Sequence, residues 1–323
     1  MDTTRNVLTI ATGKALYLTL AVNLARSFYY WNKNENINFY LATDRPGQLP
    51  ADVRPYVRLI VLEEGELGTG FSPKLHLDKL APSGQTLFID SDCLIYGGLS
   101  SVFETFRGHA VSVVGNYVSG GEWFGDVASV CKKFSVDRLP KFNGGIYYIE
   151  NGAVAAGVYR QARELEKQYD AIGFVRLRGR PNDEVVMSLA MALSGQAPVA
   201  DDGTIMSDPQ ACQGEYHIDV IKGKTRLVNL PYPNKRHQDW YPFHTVSPLI
   251  VHFLGYYTLQ YPYRLDAYKL KMAAGNRLNI WSSAYGLLGI AYPERLKTFL
   301  KDILRPAFRL LFGARRVKRS ERL

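Results

Sequence analysis

Cysteines are scarce in this sequence, and their scarcity excludes two kinds of scaffold. The 323 residues include three cysteines, Cys93, Cys131 and Cys212, and no two of them form a C-x-x-C pair. Disulfide-rich folds and zinc ribbons both need paired cysteines at short spacing. We therefore expect a reduced, cytoplasmic protein whose fold depends on neither.

Long apolar runs and a leader are also missing. The first six residues lead straight into an apolar segment, without the apolar core and cleavage pattern of a signal peptide. A bilayer-spanning helix needs roughly 18–20 uncharged apolar residues. The nearest stretch, residues 278–292, is shorter and contains Asn279, Ser282 and Ser283. The sequence therefore predicts no membrane-spanning helix.

Positive charge is concentrated at one end of the chain. Residues 294–323 hold ten Lys or Arg against three Asp or Glu, a balance of +7 out of the total of +9. The rest is close to neutral, whereas a nucleic-acid-binding domain needs a basic face across its surface. Nucleic acid is therefore excluded as the main ligand.

Two carboxylates lie inside the most apolar segment, residues 85–95. A short apolar run between Pro- and Gly-rich flanks is typical of a buried strand, and residues two apart on a strand share a face. Asp90 and Asp92 are thus predicted to point the same way at the carboxyl end of that strand, where ligands bind in open α/β sheets. Oxygen ligands suit Mn²⁺ or Mg²⁺, which in turn can hold a diphosphate. The alternative is a chance D-x-D triplet in a turn or at a solvated strand end.

The order of predicted elements favours a doubly wound α/β sheet. Strands are predicted at residues 6–12, 38–43, 57–62 and 85–95, with helices after the first strand and at 73–80. Further strands are predicted at 111–114, 145–149 and 250–253, and helices at 153–169 and 183–193. The segment after Gly203 is rich in Pro and Tyr and shows no clear period.

Five motifs in sequence order give the chain a family resemblance. They are Lys74, Phe88-Ile89-Asp90-Ser91-Asp92-Cys93, Phe142-Asn143-Gly144-Gly145, Asn182-Asp183-Glu184 and Val251-His252-Phe253-Leu254-Gly255. Over roughly residues 6–260 the chain resembles the glycogenin-like family of GT-A glycosyltransferases, the retaining group known as family 8. The resemblance implies a GT-A type doubly wound mixed sheet. It also implies transfer of a sugar from a UDP-sugar, with Mn²⁺ or Mg²⁺, to a carbohydrate or lipid-linked hydroxyl.

The same resemblance implies roles for individual residues. Asp90, Asp92 and His252 match the metal ligands, and Lys74 matches the lysine that neutralises the donor diphosphate. Lys74, Asp183 and Glu184 are the candidate catalytic residues. The candidate residues for binding the donor are Tyr17 (packed on the uracil), Thr12, Lys74, Asn143, Gly144, Asp183 and Gly255. Each has a plainer alternative, such as a core histidine at His252, a solvated surface charge at Lys74 or core packing at Tyr17.

Two departures from the family pattern affect the donor site. Glu184 stands where the family has Gln, which puts a carboxylate beside the donor sugar. This carboxylate could shield or trap the oxocarbenium-like sugar, or the acceptor could attack from the front side, and the sequence leaves both mechanisms open. Thr258 stands where the family has a basic residue that holds the diphosphate, a role that passes to Arg264 or is lost. Two other functions therefore stay open, an inactive nucleotide-sugar-binding protein and a phosphatase of the haloacid dehalogenase type. The phosphatase is a poor match, because Leu94 replaces the required Thr or Val and Asp201-Asp202 would have to form its second acidic pair.

The C-terminal region, residues 261–323, is predicted to be a basic amphipathic extension of a catalytic domain at residues 1–260. Its apolar face would contain Leu296, Phe299, Leu300, Ile303, Leu304 and Ala307, with Lys297, Lys301 and Arg305 beside it. Pro306 should kink or divide the helix, and Arg315-Arg316 with Lys318-Arg319 form a basic cluster. Such a helix can lie on an anionic membrane surface, here the inner face of the membrane, or dock on its own domain.

Overall fold

A computed structural model describes residues 3–313 as a mixed α/β fold. Its strands are β1 (Arg5–Ala11), β2 (Ile37–Thr43), β3 (Val57–Val61), β4 (Gln85–Ile89), β5 (Cys93–Ile95), β6 (Val111–Ser112), β7 (Gly115–Val118), β8 (Leu139–Phe142), β9 (Ile146–Glu150), β10 (Met206–Ser207), β11 (Glu215–Asp219), β12 (Lys224–Val228), β13 (Thr245–Val246) and β14 (Ile250–His252). Its α-helices are α1 (Ala15–Asn32), α2 (Leu77–Leu80), α3 (Ser100–Thr105), α4 (Val127–Phe134), α5 (Ala153–Lys167), α6 (Tyr169–Ile172), α7 (Asp183–Leu193), α8 (Tyr261–Ala274), α9 (Ile280–Gly286) and α10 (Tyr292–Phe312).

The central sheet has the strand order β3-β2-β1-β4-β9-β6. Strands β3, β2, β1 and β4 are parallel, whereas β9 is antiparallel to β4 and β6 is antiparallel to β9. The order runs outward from β1 in both directions, with α1 between β1 and β2 and α2 between β3 and β4. The predicted doubly wound mixed sheet is therefore confirmed.

Both faces of this sheet are covered by apolar side chains. All five residues of β4 are buried, with Phe88 in the core on one face and Leu87 and Ile89 in the core on the other. Helices α5 and α7 cover the first face, and α1 and α3 cover the second. A strand buried on both sides has an unbroken apolar sequence, so the apolar run at residues 85–89 follows from its central position.

One predicted strand is two strands in different sheets. The run at residues 85–95 stops at Ile89, and the chain turns through Asp90-Ser91-Asp92 before β5. Strand β5 joins a small second sheet of order β10-β14-β5, in which His252 is paired with Cys93. The prediction of one continuous strand is therefore wrong: both halves are fully buried, so hydrophobicity could not reveal the break.

Other segments differ from the predictions in detail. The predicted helix at 73–80 is a 3₁₀ turn at Ser72–His76 followed by the single turn α2. The Pro- and Tyr-rich segment contains an antiparallel sheet of β11, β12 and β13. Helix α10 runs through Pro306 to Phe312, so this proline does not divide it. The basic cluster at Arg315-Arg316 and Lys318-Arg319 lies outside the described residues.

The first helix beyond residue 260 packs on the α/β part of the fold. Tyr263 of α8 accepts a hydrogen bond from Asn23 of α1 (3.2 Å), and Asp266 accepts one from Tyr96 (2.9 Å). The division into residues 1–260 and 261–323 stays a prediction. Within residues 3–313 no helix is both long enough and apolar enough to span a bilayer.

Candidate active site

The candidate site lies where β4 ends, at the carboxyl edge of the central sheet. The backbone N–H of Asp90 donates to Gly145 O on the neighbouring strand (2.9 Å), and Cys93 N–H donates to Asp90 O (3.0 Å). These bonds close the turn that holds Asp90 and Asp92. Their side chains do converge, as the sequence predicts, but a turn brings them together and not the alternation of a strand.

His252 completes this cluster from β14. Its Nε2 lies 3.0 Å from Asp92 Oδ1 and 3.8 Å from Asp90 Oδ2. The antiparallel pairing of β14 with β5 sets these distances, because it places His252 opposite Cys93. The pairing thereby brings together, from segments far apart in sequence, three side chains that can each offer a metal ligand.

Asn143 fixes the orientation of the His252 ring. Its Oδ1 accepts from Gly145 N–H (3.0 Å) and lies 2.8 Å from His252 Nδ1, while its Nδ2 donates to Asp208 Oδ2 (3.2 Å). An oxygen that accepts both bonds requires the proton to be on Nδ1, which leaves the Nε2 lone pair facing Asp92. Asp208 was not singled out in the sequence. It is buried and accepts two further backbone N–H groups, those of Gln210 and Ala211.

The arrangement fits a divalent cation. Asp92 Oδ1 is buried, and it lies 3.0 Å from His252 Nε2, whose lone pair faces it. A cation or a second proton between these two atoms would relieve the repulsion between their lone pairs. Burial by itself lowers the pKa of His252, but Asp92 raises it, so a proton also binds readily at Nε2, between His252 and Asp92. The Sγ of Cys93 also lies within 4.8 Å of these atoms. Burial and the two carboxylates raise the pKa of the Cys93 thiol well above its usual value, so the carboxylates are the better ligands.

Lys74 reaches the same cluster from the 3₁₀ turn before α2. Its Nζ donates to Asp90 Oδ2 (2.7 Å) and to Gly144 O (2.9 Å), and lies 3.7 Å from Asp183 Oδ2. Burial lowers the pKa of Lys74, but the nearby carboxylates Asp183 and Asp90 outweigh it, and the amine stays protonated. Lys74 is therefore a fixed cation inside the site.

The start of α7 supplies two more carboxylates. Asn182 caps this helix by accepting from Glu184 N–H (2.7 Å), and Glu184 Oε1 in turn accepts from Gly144 N–H (2.7 Å). Asp183 accepts a hydrogen bond from Tyr147. Burial and the neighbouring Asp183 raise the pKa of Glu184 to about 7. Glu184 thus titrates near neutral pH.

Close packing explains the two glycines after Asn143. A Cβ at Gly144 would lie 3.1 Å from Asp183 Oδ2, and a Cβ at Gly145 would lie 2.5 Å from His252 Nδ1. A side chain at Gly145 would therefore displace the histidine. The turn sequence is needed because two functional side chains approach its backbone.

Three other predicted donor-binding residues lie on neighbouring segments. Tyr17 is half-buried in the first turn of α1, and burial, then Asp92 and Asp90, raise the pKa of its hydroxyl. Thr12 directly follows β1. Gly255 N–H donates to Asp92 Oδ2 (3.3 Å), so it positions that carboxylate. Their roles toward a donor stay predictions.

The alternative residues named from the sequence lie elsewhere. Asp201 and Asp202 accept bonds within their own turn, from Gly203 and Thr204, and neither contacts the cluster. Asp201-Asp202 therefore does not supply a second acidic pair to this cluster.

Comparison with known proteins identifies the fold. No protein-family model matches the chain, and no curated protein matches it in sequence. Among solved structures it is similar to the galactosyltransferase LgtC in complex with donor and acceptor sugar analogues, at 14% identity and a TM-score of 0.53, over 85% of this chain and 97% of that one. This likeness confirms the GT-A type fold.

Two further glycosyltransferases show weaker similarity. GlyE from Streptococcus pneumoniae has a TM-score of 0.41 at 16% identity, over 62% of this chain and 46% of that one. Mouse xyloside xylosyltransferase 1 has a TM-score of 0.44 at 12% identity, over 63% of this chain and 87% of that one. Membership of the glycogenin-like family stays a prediction.

Proposed function

We propose that this protein is a metal-dependent glycosyltransferase that moves a sugar from a UDP-sugar to a hydroxyl of a carbohydrate or lipid-linked acceptor, with retention at the anomeric carbon. The observation that carries the proposal is the convergence of Asp90, Asp92, His252 and Lys74 at the carboxyl end of β4. This edge is where open α/β sheets bind their ligands. The likeness of the fold to that of a galactosyltransferase supports it.

The residues present suit Mn²⁺ or Mg²⁺. Asp90, Asp92 and His252 would hold the ion through two carboxylates and one imidazole nitrogen, a donor set that both ions accept. When bound, the ion supplies positive charge against the diphosphate of the leaving nucleotide. Asn143 and Asp208 would keep the histidine in the ligating tautomer.

Lys74 contributes a second, permanent positive charge. Charge builds up on the diphosphate as the bond to the sugar breaks, and a preorganised cation stabilises that state more than the ground state. The Nζ of Lys74 is held by Asp90 and by Gly144 O, so little reorganisation is needed when the donor binds. We therefore assign Lys74 to stabilisation of the leaving group.

Glu184 and Asp183 would lie on the side of Lys74 where the donor sugar binds. Asp183 is fixed by Tyr147, and one oxygen of Glu184 is fixed by Gly144. An ionised Glu184 could shield the oxocarbenium-like sugar, while front-side attack would give the same retained product.

The decisive experiment is calorimetric titration of a panel of UDP-sugars with and without Mn²⁺. The wild-type protein should bind one of them only with the metal and hydrolyse it slowly, and Asp92→Asn should abolish this binding without lowering the melting temperature. Asp137→Asn, an exposed carboxylate on another surface, is the matched control. Unchanged affinity in Asp92→Asn would sink the metal assignment.

The same assay separates the alternatives. Cleavage of phosphate monoesters without donor hydrolysis would favour the phosphatase. Binding without any turnover of donor or acceptor would favour an inactive nucleotide-sugar-binding protein.

We further propose that α10 attaches the protein to the inner, anionic surface of a membrane. Lys297, Lys301, Arg305 and Arg309 recur every fourth residue and form a basic stripe. Beside it run apolar side chains that stay exposed, such as Phe299 (60%) and Ile303 (57%), so the rest of the described chain does not cover this face. An apolar stripe with a basic margin is the pattern of helices that lie in a membrane interface.

A further inference from the structure

In the family that this chain resembles, a basic residue at the position of Thr258 holds the diphosphate. In this chain that position does not supply a positive charge. Thr258 is buried and donates its hydroxyl to Gly255 O (2.7 Å). Arg264 lies on the surface and pairs with Glu294 of α10 (3.3 Å). Lys74 is already shared between Asp90 and Asp183. Lys74 is the side-chain cation assigned above to the leaving group, so a further side-chain cation for the diphosphate would have to come from another part of the chain.

A two-residue hairpin directly before α7 carries two arginines. Leu177 and Arg180 exchange backbone hydrogen bonds (2.9 and 3.0 Å), with Arg178 and Gly179 at the tip. Both tip residues have positive φ, 54° and 80°, which a two-residue hairpin of this type requires. Arg178 occupies a conformation that few non-glycine residues adopt, so local backbone preference does not explain an arginine there.

Arg180 lies between two segments that form the site. A Cβ on Gly70 would be 2.7 Å from Arg180 Cδ, so the arginine packs directly over this glycine. Gly70 leads into Lys74, and Arg180 leads into Asp183, and these two segments meet where Lys74 approaches Asp183. The arginine therefore lies at the rim of the cluster.

Both arginines act electrostatically on the same side chain as the candidate metal ligands. Burial raises the pKa of the Tyr17 hydroxyl, Asp92 and Asp90 raise it further, and Arg178 and Arg180 oppose them. This agrees with the position of Arg180 over Gly70 at the rim of the cluster.

Among the side chains that the structure describes, the two arginines also lack partners of their own. Across residues 3–313 neither guanidinium makes an ion pair or a side-chain hydrogen bond. Arg176, two residues earlier, is different because it pairs with Asp170 through two bonds (2.8 and 2.6 Å). Two unpaired guanidinium groups beside an acidic site suggest an anionic ligand.

We propose that Arg178 and Arg180 bind the diphosphate of the nucleotide-sugar donor and so replace the missing cation at Thr258. The inference rests on the proposed function, because it assumes a donor at the acidic cluster. Guanidinium groups bind phosphate oxygens in a bidentate way, and such charge-assisted bonds are among the stronger ones in proteins. The hairpin then acts as a cationic rim opposite Lys74 and the metal ligands.

The test compares UDP, UMP and uridine in calorimetric titrations with Mn²⁺. The variants are Arg178→Gln, Arg180→Gln and the double variant, with Arg176→Gln as the matched control because its charge is already used by Asp170. The double variant should lose about 10–100-fold in UDP affinity, the size of one or two charged hydrogen bonds. Uridine affinity should not change, UMP should fall between the two, and Arg180→Lys should restore part of the loss. Thermal melting checks that every variant is folded.

The outcomes distinguish the two proposals. A wild-type protein that binds no UDP with Mn²⁺ overturns the glycosyltransferase proposal itself, and with it the donor assigned to the hairpin. If the wild type binds UDP and the double variant binds it equally well, or loses UDP and uridine to the same extent, only the arginine proposal fails. A raised KM for an anionic acceptor with unchanged UDP affinity would also overturn it, because the arginines would then serve the acceptor.

Discussion

Asp208 is linked to the candidate metal site through Asn143. It holds Asn143, which holds His252 Nδ1 at 2.8 Å, so the tautomer of the histidine depends on a carboxylate two side chains away. Residues in this outer position typically change metal affinity by 10–100-fold. A loop residue that sequence patterns do not mark can therefore matter as much as a ligand.

The first prediction concerns Asp208→Asn. The new amide would place its own NH₂ against the NH₂ of Asn143. The Asn143 amide should therefore flip, and its oxygen would no longer accept a hydrogen bond from His252. We expect Mn²⁺ affinity to fall by about 10–100-fold, measured by electron paramagnetic resonance titration without any substrate. Asp201→Asn is the control, because that carboxylate accepts from its own turn at Gly203. Equal Mn²⁺ affinities in wild type and Asp208→Asn would contradict the relay.

The second prediction concerns Lys74→Met, which keeps most of the side-chain length but removes the charge. Turnover should fall by about 10²–10³-fold, as when one preorganised transition-state donor is lost. Lys79→Met, on the exposed side of α2, is the control. An effect confined to KM would mean that Lys74 binds donor and transition state equally well.

Sequence patterns singled out the candidate ligands but missed the residues that hold them, for a physical reason. Asp90, Asp92 and His252 lie in or beside apolar strands, where a charged or polar residue is conspicuous. Asp208 follows the two-residue strand β10 in a segment with no period, and the arginines lie in a hairpin whose partners are distant in sequence. Long-range contacts give these residues their roles, and no local pattern encodes them.

At the scale of elements, the strand break after Ile89 is what creates the site. A continuous strand would send Asp90 and Asp92 along the central sheet, whereas the turn lets β5 pair with β14 and bring in His252. Both halves are equally buried, so the sequence predicts the location of the carboxylates and not the turn that unites them. Helix α7 was predicted with its observed bounds, and in the structure Asn182 caps its first turn.

The third prediction concerns the buried contact between α8 and the core. Burial raises the pKa of Asp266 to about 7, although Lys269 and Tyr96 oppose the shift. The folded state then holds a proton that the unfolded state releases near pH 4. Stability from this group is therefore full below about pH 4 and is lost as pH rises to about 7, at up to about 1.4 kcal/mol per pH unit.

Asp266→Asn tests this, because the amide keeps an acceptor for Tyr96 and Val220 but cannot ionise. Denaturant unfolding at pH 5 and pH 7 should show the wild type losing more stability than the variant across this interval. Parallel pH dependences of the two proteins would show that Asp266 titrates normally.

At the scale of the whole molecule, the doubly wound sheet follows from alternating strand and helix patterns, and the likeness to LgtC confirms it. The basic end was equally visible in composition. What composition could not decide is whether the apolar face of α10 packs on the domain. The structure leaves that face exposed, down to Leu310 at 87%, and this exposure is the basis of the membrane proposal.

The last prediction concerns membrane attachment through the basic stripe of α10. Replacing Lys297 and Lys301 with Gln removes two charges from the stripe and leaves the apolar face intact. Each basic residue near an anionic surface contributes about 1 kcal/mol, so vesicle affinity should fall by roughly 30-fold. The control replaces Lys222 and Lys224 with Gln, two exposed lysines near the β11–β12 turn that lower the net charge equally. Co-sedimentation with phosphatidylserine vesicles at low salt measures the effect, while turnover of a water-soluble acceptor should not change. If the control pair weakens binding as much, general charge and not α10 attracts the membrane. If the wild type ignores the vesicles, the exposed apolar face serves another partner, and a concentration-dependent dimer in sedimentation would identify a second copy of the chain.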